Sequence, residues 1–222
     1  MSQVPFNIKS SPSYLEDDFF VSDVNVFAKK WVDSWPNWGE GGLNKIFVLI
    51  GEEGSGKTHL ANIWGERANA IELNISNIVN KTYNSSESDN FVFEDVHKYQ
   101  SYAEDIFYLL NYVINNGKYL FITSSKSIKL IDFKLKDLSS RLSGAILVDL
   151  LSPDENVISQ VIMKYFSDRQ MRIDQKTIKF LSVRVPRSYP NVKKILEEID
   201  YLSLKNKMPV TIPFLQKYFD LI

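Results

Sequence analysis

Eight consecutive residues carry the clearest chemistry in the chain. Gly51-Glu52-Glu53-Gly54-Ser55-Gly56-Lys57-Thr58 fits G-x-x-x-x-G-K-[ST] without mismatch. Three of the nine glycines fall inside it. Small residues let a backbone wrap a pyrophosphate with successive N–H groups aimed at its oxygens. A helix opening at the loop adds a favourable dipole. On this reading Gly51, Gly54, Ser55 and Gly56 cradle phosphates, Lys57 reaches the β- and γ-phosphates, and Thr58 ligates Mg²⁺. His59 follows directly and, taken alone, reads as a helix-start residue.

A phosphate loop works with an acidic residue at the end of a neighbouring strand. Phe91-Val92-Phe93-Glu94-Asp95 offers two: Glu94 for the metal side, Asp95 to orient water. A charged strand end facing solvent has the same appearance. Glu94 is longer than the usual Asp, which predicts weak intrinsic hydrolysis. Phe121-Ile122-Thr123-Ser124-Ser125 ends in polar residues that could face a γ-phosphate or simply mark a strand-to-loop transition. Arg141, within Leu138-Ser139-Ser140-Arg141-Leu142, reads equally as a solvated helix-end charge or as a finger offered to another subunit's nucleotide.

These residues need elements to hold them. Ile46–Ile50 is a continuous apolar run, as expected of a buried parallel strand. Ala70–Leu73, Phe91–Phe93, Tyr119–Thr123 and Ala145–Leu150 read as four more strands. Helices are predicted over Asp23–Ser34 with Asp23 as cap, Thr58–Arg67, Ser76–Tyr83 and Ser101–Asn116. Alternation of strand and helix predicts a parallel α/β sheet covered on both faces. After Pro153 only helices are predicted: Asp154–Phe166, Asp174–Val185, Asn191–Lys205 and Ile212–Tyr218. The expected organisation is an N-terminal tail over 1–20, an α/β nucleotide-binding domain over 21–151 and a helical lid over 152–222.

Composition narrows the field. Among 222 residues there is no cysteine and there are two histidines, which excludes a disulfide framework, a thiolate zinc site and a cysteine nucleophile. No run of eighteen apolar residues and no signal-like N-terminus is present, so a cytoplasmic protein without a membrane partner is expected. The net charge of −1 argues against coating nucleic acid by bulk charge. It hides a split: residues 1–150 carry −5 and residues 151–222 carry +4.

The order of strand, G-x-x-x-x-G-K-T-H-L, acidic strand end, S-R-L and helical lid resembles an AAA+ ATPase of the DnaA group, with Gly56-Lys57-Thr58-His59-Leu60 as its typical loop ending. Within that group the chain is most similar to the Hda/HdaA family, DnaA-related regulators of replication initiation. Asp17-Asp18-Phe19-Phe20-Val21-Ser22 with Asn25 resembles the segment leading into the adenine pocket. Trp35-Pro36-Asn37-Trp38, Phe166-Ser167-Asp168-Arg169-Gln170-Met171 and Arg187-Ser188-Tyr189 resemble the alphaproteobacterial-type members.

The resemblance implies an AAA+ core holding ADP or ATP with Mg²⁺, with His59, Phe20 and Val21 near the nucleotide and Arg187 as the lid's sensor arginine. It implies that Gln3-Val4-Pro5-Phe6-Asn7-Ile8 docks on the DNA polymerase sliding clamp, with Gln3, Val4, Pro5, Phe6 and Ile8 making the contact. Arg141 becomes a finger aimed at ATP bound by DnaA. DNA is then reached indirectly through the clamp, near the nucleoid, and a homodimer that hides Arg141 is allowed for. Glu94, and Ser125 where DnaA proteins often carry an acidic or amide residue, put independent hydrolysis in doubt but not nucleotide binding. The alternative from another class is a self-contained ATPase acting as a DnaC-type helicase loader, which has no need of the N-terminal Gln motif. An initiator that binds origin DNA is disfavoured because the sequence stops at Ile222, after the lid.

Overall fold

Ile46–Ile50 (β1) is buried at all five positions. Its side chains alternate between two cores, as the period of a strand requires. Ile46, Val48 and Ile50 point to one face, Phe47 and Leu49 to the other. Such two-faced burial is what a central parallel strand needs.

The computed structural model describes residues 14–220. They form two compact units, 14–151 and 152–220. In the first, α1 (Val26–Asp33) precedes β1, and α2 (Lys57–Ala68) follows it. Then come β2 (Ile71–Leu73), α3 (Ile75–Val79), β3 (Asn90–Phe93), α4 (Ala103–Asn115), β4 (Tyr119–Ser124), α5 (Lys136–Gly144) and β5 (Ile146–Asp149). The sheet order is β2-β3-β4-β1-β5, parallel throughout. One face packs on α4 and α5 through Ile106, Leu109, Val113, Leu138 and Leu142. The other packs on α1 and α2 through Ala28, Val32, Leu60 and Trp64. The W-P-x-W segment belongs to that second core: Trp38 stacks on Phe47 at 5.1 Å and on Trp64 at 5.6 Å.

Three local expectations are revised. Asp23 does not cap α1; the helix starts after Asn25, whose side chain ties down the preceding turn instead. Residues 14–20, expected in the N-terminal tail, pack on the α/β unit. Phe19 is in its core, and Glu16 pairs with Lys29 at 2.7 Å and Arg67 at 2.9 Å. The expected helix over Ser76–Tyr83 is shorter, with a separate 3-10 turn at Thr82–Ser85.

The second unit holds α6 (Glu155–Asp168), α7 (Gln175–Ser182), α8 (Tyr189–Asn206) and α9 (Ile212–Phe219) around Ile158, Ile162, Phe166, Leu181, Leu196 and Ile199. Asp154 caps α6 by accepting the Val157 N–H at 2.8 Å, and Asp174 caps α7 by accepting the Thr177 N–H at 2.9 Å. The F-S-D-R-Q-M segment is the end of α6. Gln170 takes φ 55°, Met171 N–H donates to Phe166 O and Gln170 N–H to Ser167 O. That is a Schellman turn with Gln in the left-handed position usually given to Gly.

Candidate functional site

The P-loop hangs between strands. Gly51 N–H donates to Ser124 O of β4 at 3.0 Å. A Cβ on Gly51 would strike the Leu150 carbonyl oxygen, so only glycine fits there. Gly54 and Gly56 adopt φ 78° and 102°, which L side chains resist. Ser55 is 3 % exposed, and its Oγ has no hydrogen-bond partner. A buried hydroxyl without a partner is uncommon and fits a loop shaped for an incoming oxygen.

Lys57 opens α2 and is 7 % exposed. Its ammonium donates to Gly51 O at 2.7 Å and Glu52 O at 2.8 Å, so two of its three N–H groups are placed on the loop. Burial pushes its pKa down, against the pull of Asp95, Glu94 and Glu53. Thr58 Oγ1 donates to Glu94 Oε2 at 2.7 Å. The start of α2 and the end of β3 therefore meet side chain to side chain. Burial raises the pKa of Glu94, the Thr58 bond opposes it, and Glu72 and Asp95 add to the rise. Among the described residues no group of three or more His, Asp or Glu side chains gathers to hold a metal. Mg²⁺ bound beside phosphates needs no such cage, since one or two protein oxygens suffice.

β4 lies between β1 and β3, with Ile50 opposite Ser124 and Phe93 opposite Ile122. Its polar end thus sits between the P-loop and the acids. Asp95 turns left-handed (φ 56°), donates its N–H to Thr123 Oγ1 at 2.9 Å and pairs with Lys98 at 2.6 Å. His97, which sequence reasoning passes over, is buried here and accepts the Ser125 N–H at 3.1 Å. Its one sequence signal is a histidine three residues beyond the first acid of the strand end.

The segment over 14–20 runs beside the start of α2. His59 Nε2 bonds Leu15 O at 2.9 Å, and Tyr14 and Phe19 meet the ring edge-on at 5.7 and 5.3 Å. Burial lowers the pKa of His59. Asn25, 3 % exposed, accepts the Ser22 N–H and donates to Phe20 O, at 2.9 and 2.8 Å. This fixes the turn carrying Phe20 and Val21, the latter 47 % exposed.

Arg141 lies on α5, a helix the sequence reading left unassigned. Its guanidinium sits over the Phe107 ring, 4.9 Å from the centroid, and forms no ion pair among the described residues. It is not joined to the P-loop or the strand ends. Arg187 is exposed on the lid, immediately before the Ser188 N-cap of α8. Gln3, Val4, Pro5, Phe6 and Ile8 lie outside the described residues. No helix among the described residues is long and apolar enough to cross a membrane.

Comparison with known proteins follows the same lines. Residues 155–219 match the family model for the Hda lid domain. An uncharacterized protein of Haemophilus influenzae is 28 % identical over 194 residues, covering 79 % of this chain and 82 % of that one. The chromosomal replication initiator DnaA of Francisella tularensis subsp. novicida is 22 % identical over 236 residues, covering 95 % of this chain and 48 % of its own length. The chain thus spans about half the length of its DnaA relatives. Domain III of Thermotoga maritima DnaA superposes with a TM-score of 0.75 at 16 % identity, over 92 % of this chain and 94 % of that domain. DnaA from Aquifex aeolicus, solved with AMPPCP bound, superposes with a TM-score of 0.67 at 20 % identity, over 87 % of this chain and 65 % of that one. Those likenesses place the fold as an AAA+ core with a helical lid. Residues 155–219 are thus similar to the lid domain of Hda, and the chain as a whole is similar to DnaA in sequence and in fold.

Proposed function

We propose that this protein regulates replication initiation by inactivating DnaA. It binds ADP or ATP in the P-loop, docks on the DNA-loaded sliding clamp through Gln3–Ile8, and presents Arg141 to ATP held by DnaA. Hydrolysis by DnaA then prevents re-initiation. One observation carries the reading: a lid of the Hda kind is joined in sequence to an α/β unit whose P-loop keeps a buried ammonium and an unpartnered hydroxyl.

Each residue has a task. Gly51, Gly54, Ser55, Gly56 and Lys57 hold the phosphates, with the helix dipole of α2 behind them. Phe20, Val21 and His59 line the base side, and Arg187 is the lid's sensor arginine. Thr58 and Glu94 hold Mg²⁺, which spreads phosphate charge when bound. Asp95 orients water. Because Glu94 already accepts from Thr58, its carboxylate is shared, which supports weak turnover by this chain itself. Arg141 rests on a π face and not on a carboxylate, so its N–H donors stay free for a phosphate outside the chain.

A reconstituted assay with DnaA, clamp, DNA and ATP tests the reading. Arg141→Ala should lower stimulation of DnaA hydrolysis by roughly 10³-fold or more, and Gln3→Ala should abolish clamp capture. Lys57→Ala should weaken binding of a fluorescent ADP analogue by about tenfold to a hundredfold, as expected for lost charged hydrogen bonds. Stimulation that survives Arg141→Ala defeats the finger. Turnover that needs neither DnaA nor clamp favours the helicase-loader alternative.

A further inference from the structure

The β3–β4 ladder stops at Phe93 and Ile122. Beyond it Asp95 turns left-handed, and backbone pairing cannot continue. Two side-chain bonds replace it. Asp95 N–H donates to Thr123 Oγ1 at 2.9 Å, and Ser125 N–H donates to His97 Nδ1 at 3.1 Å. In each, the backbone of one strand end meets a side chain of the other. The two ends are cross-tied beside the P-loop.

The second tie dictates the state of the imidazole. A nitrogen that accepts a hydrogen bond carries no proton, so His97 is neutral with its proton on Nε2. The ring is 8 % exposed, in the short turn Val96–Lys98, and Gln100 Nε2 holds that turn by donating to His97 O at 3.0 Å. Burial favours the neutral form, and Lys98, Lys57 and Lys126 push the same way. Asp95 pulls against them, with Oδ1 4.0 Å from Nδ1. Protonation would remove the acceptor for Ser125 and turn Nδ1–H toward Asp95.

We propose that neutral His97 is a positioning residue of the nucleotide site, holding Ser125 and Asp95 so that the ends of β3 and β4 meet a terminal phosphate together. This rests on the nucleotide reading of the P-loop. It goes beyond that reading by assigning discrimination between triphosphate and diphosphate to a residue that touches neither.

The full chain is titrated with ADP and with AMPPCP. His97→Leu removes the acceptor; His97→Asn keeps an oxygen near the Nδ1 position and cannot ionise. The leucine variant should change the AMPPCP-to-ADP affinity ratio by about threefold to tenfold, the range of one hydrogen bond, with ADP affinity nearly unchanged. The asparagine variant should restore the ratio. A parallel fall in both affinities, or an unchanged ratio, overturns the assignment. If the unmutated chain binds no ADP, the nucleotide reading fails instead. A long-range proton–nitrogen correlation spectrum covers the case of a leucine variant that does not fold. The chain has two histidines, and the asparagine variant, which keeps only His59, identifies the His97 signals. His97 should show the Nε2–H tautomer at neutral pH and titrate below the ordinary histidine value. The Nδ1–H tautomer, or an imidazolium at neutral pH, overturns the proposal.

Discussion

In the lid, the starts of α6 and α7 and the end of α6 are closed by neighbours in sequence. Asp154 and Asp174 cap α6 and α7, and the end of α6 folds back through Gln170 and Met171. Around the P-loop and the strand ends of the α/β unit, charged and polar groups are closed less fully. Ser55 Oγ has no partner, Lys57 and Glu94 are charged groups whose pKa values are moved by burial, and Asp95 sits at a positive φ. The contrast teaches where each unit carries its task. The lid's internal polar residues serve its stability. The residues around the P-loop are held in an arrangement that the proposed phosphate and cation would relieve.

The largest effect belongs to the lid core. Leu196 is fully buried among α6, α7 and α8 residues. Leu196→Ala should cost about 2–5 kcal/mol in urea unfolding of the full chain, the range for a leucine cavity. A loss well under that range would mean the lid repacks freely, and the picture of a stability unit would break. Next comes the cap. Asp154→Ala should cost about 1 kcal/mol and Asp154→Asn much less, because the amide oxygen still accepts the Val157 N–H. Equal losses for the two would assign the effect to charge and not to capping.

How legible each region was follows from the range of its interactions. Ile46–Ile50 announced a buried parallel strand because its neighbours on both faces demand an apolar side chain at every position. The P-loop was legible because glycine is required at fixed places. α5 was not, since only Leu138 and Leu142 are buried along it, a stripe of two positions. The Asn25 turn was misread as an Asp23 cap because both residue types serve locally and only the packing chooses. The lid segment over 166–171 was legible through resemblance alone; a Gln at the left-handed position hides the stop that Gly would have marked. His97 was out of reach. Its bond to Ser125 spans 28 residues of chain and exists only once β3 and β4 are neighbours.

The smallest effect is the sharpest test, because its sign is reversed. Burial raises the pKa of Glu94, and the carboxylates of Glu72 and Asp95 add to it, while Thr58 and Lys57 oppose. A raised carboxylate pKa means that the folded chain prefers the neutral acid. The stability this brings is fully present below the ordinary glutamate value and is lost as pH rises through the raised one. As pH rises through the raised value, ionisation places a charge in a half-buried site that the unfolded chain leaves in water. Glu94→Gln removes that charge and keeps an oxygen for the Thr58 hydroxyl. Thermal melts should show the glutamine variant above the unmutated chain near pH ~7, with the gap closing toward pH ~4, around the ordinary glutamate value. A variant less stable at neutral pH would show that Thr58 and Lys57 outweigh burial. The strand end would then be a stabilising contact like those of the lid, and the contrast between the two units would fall.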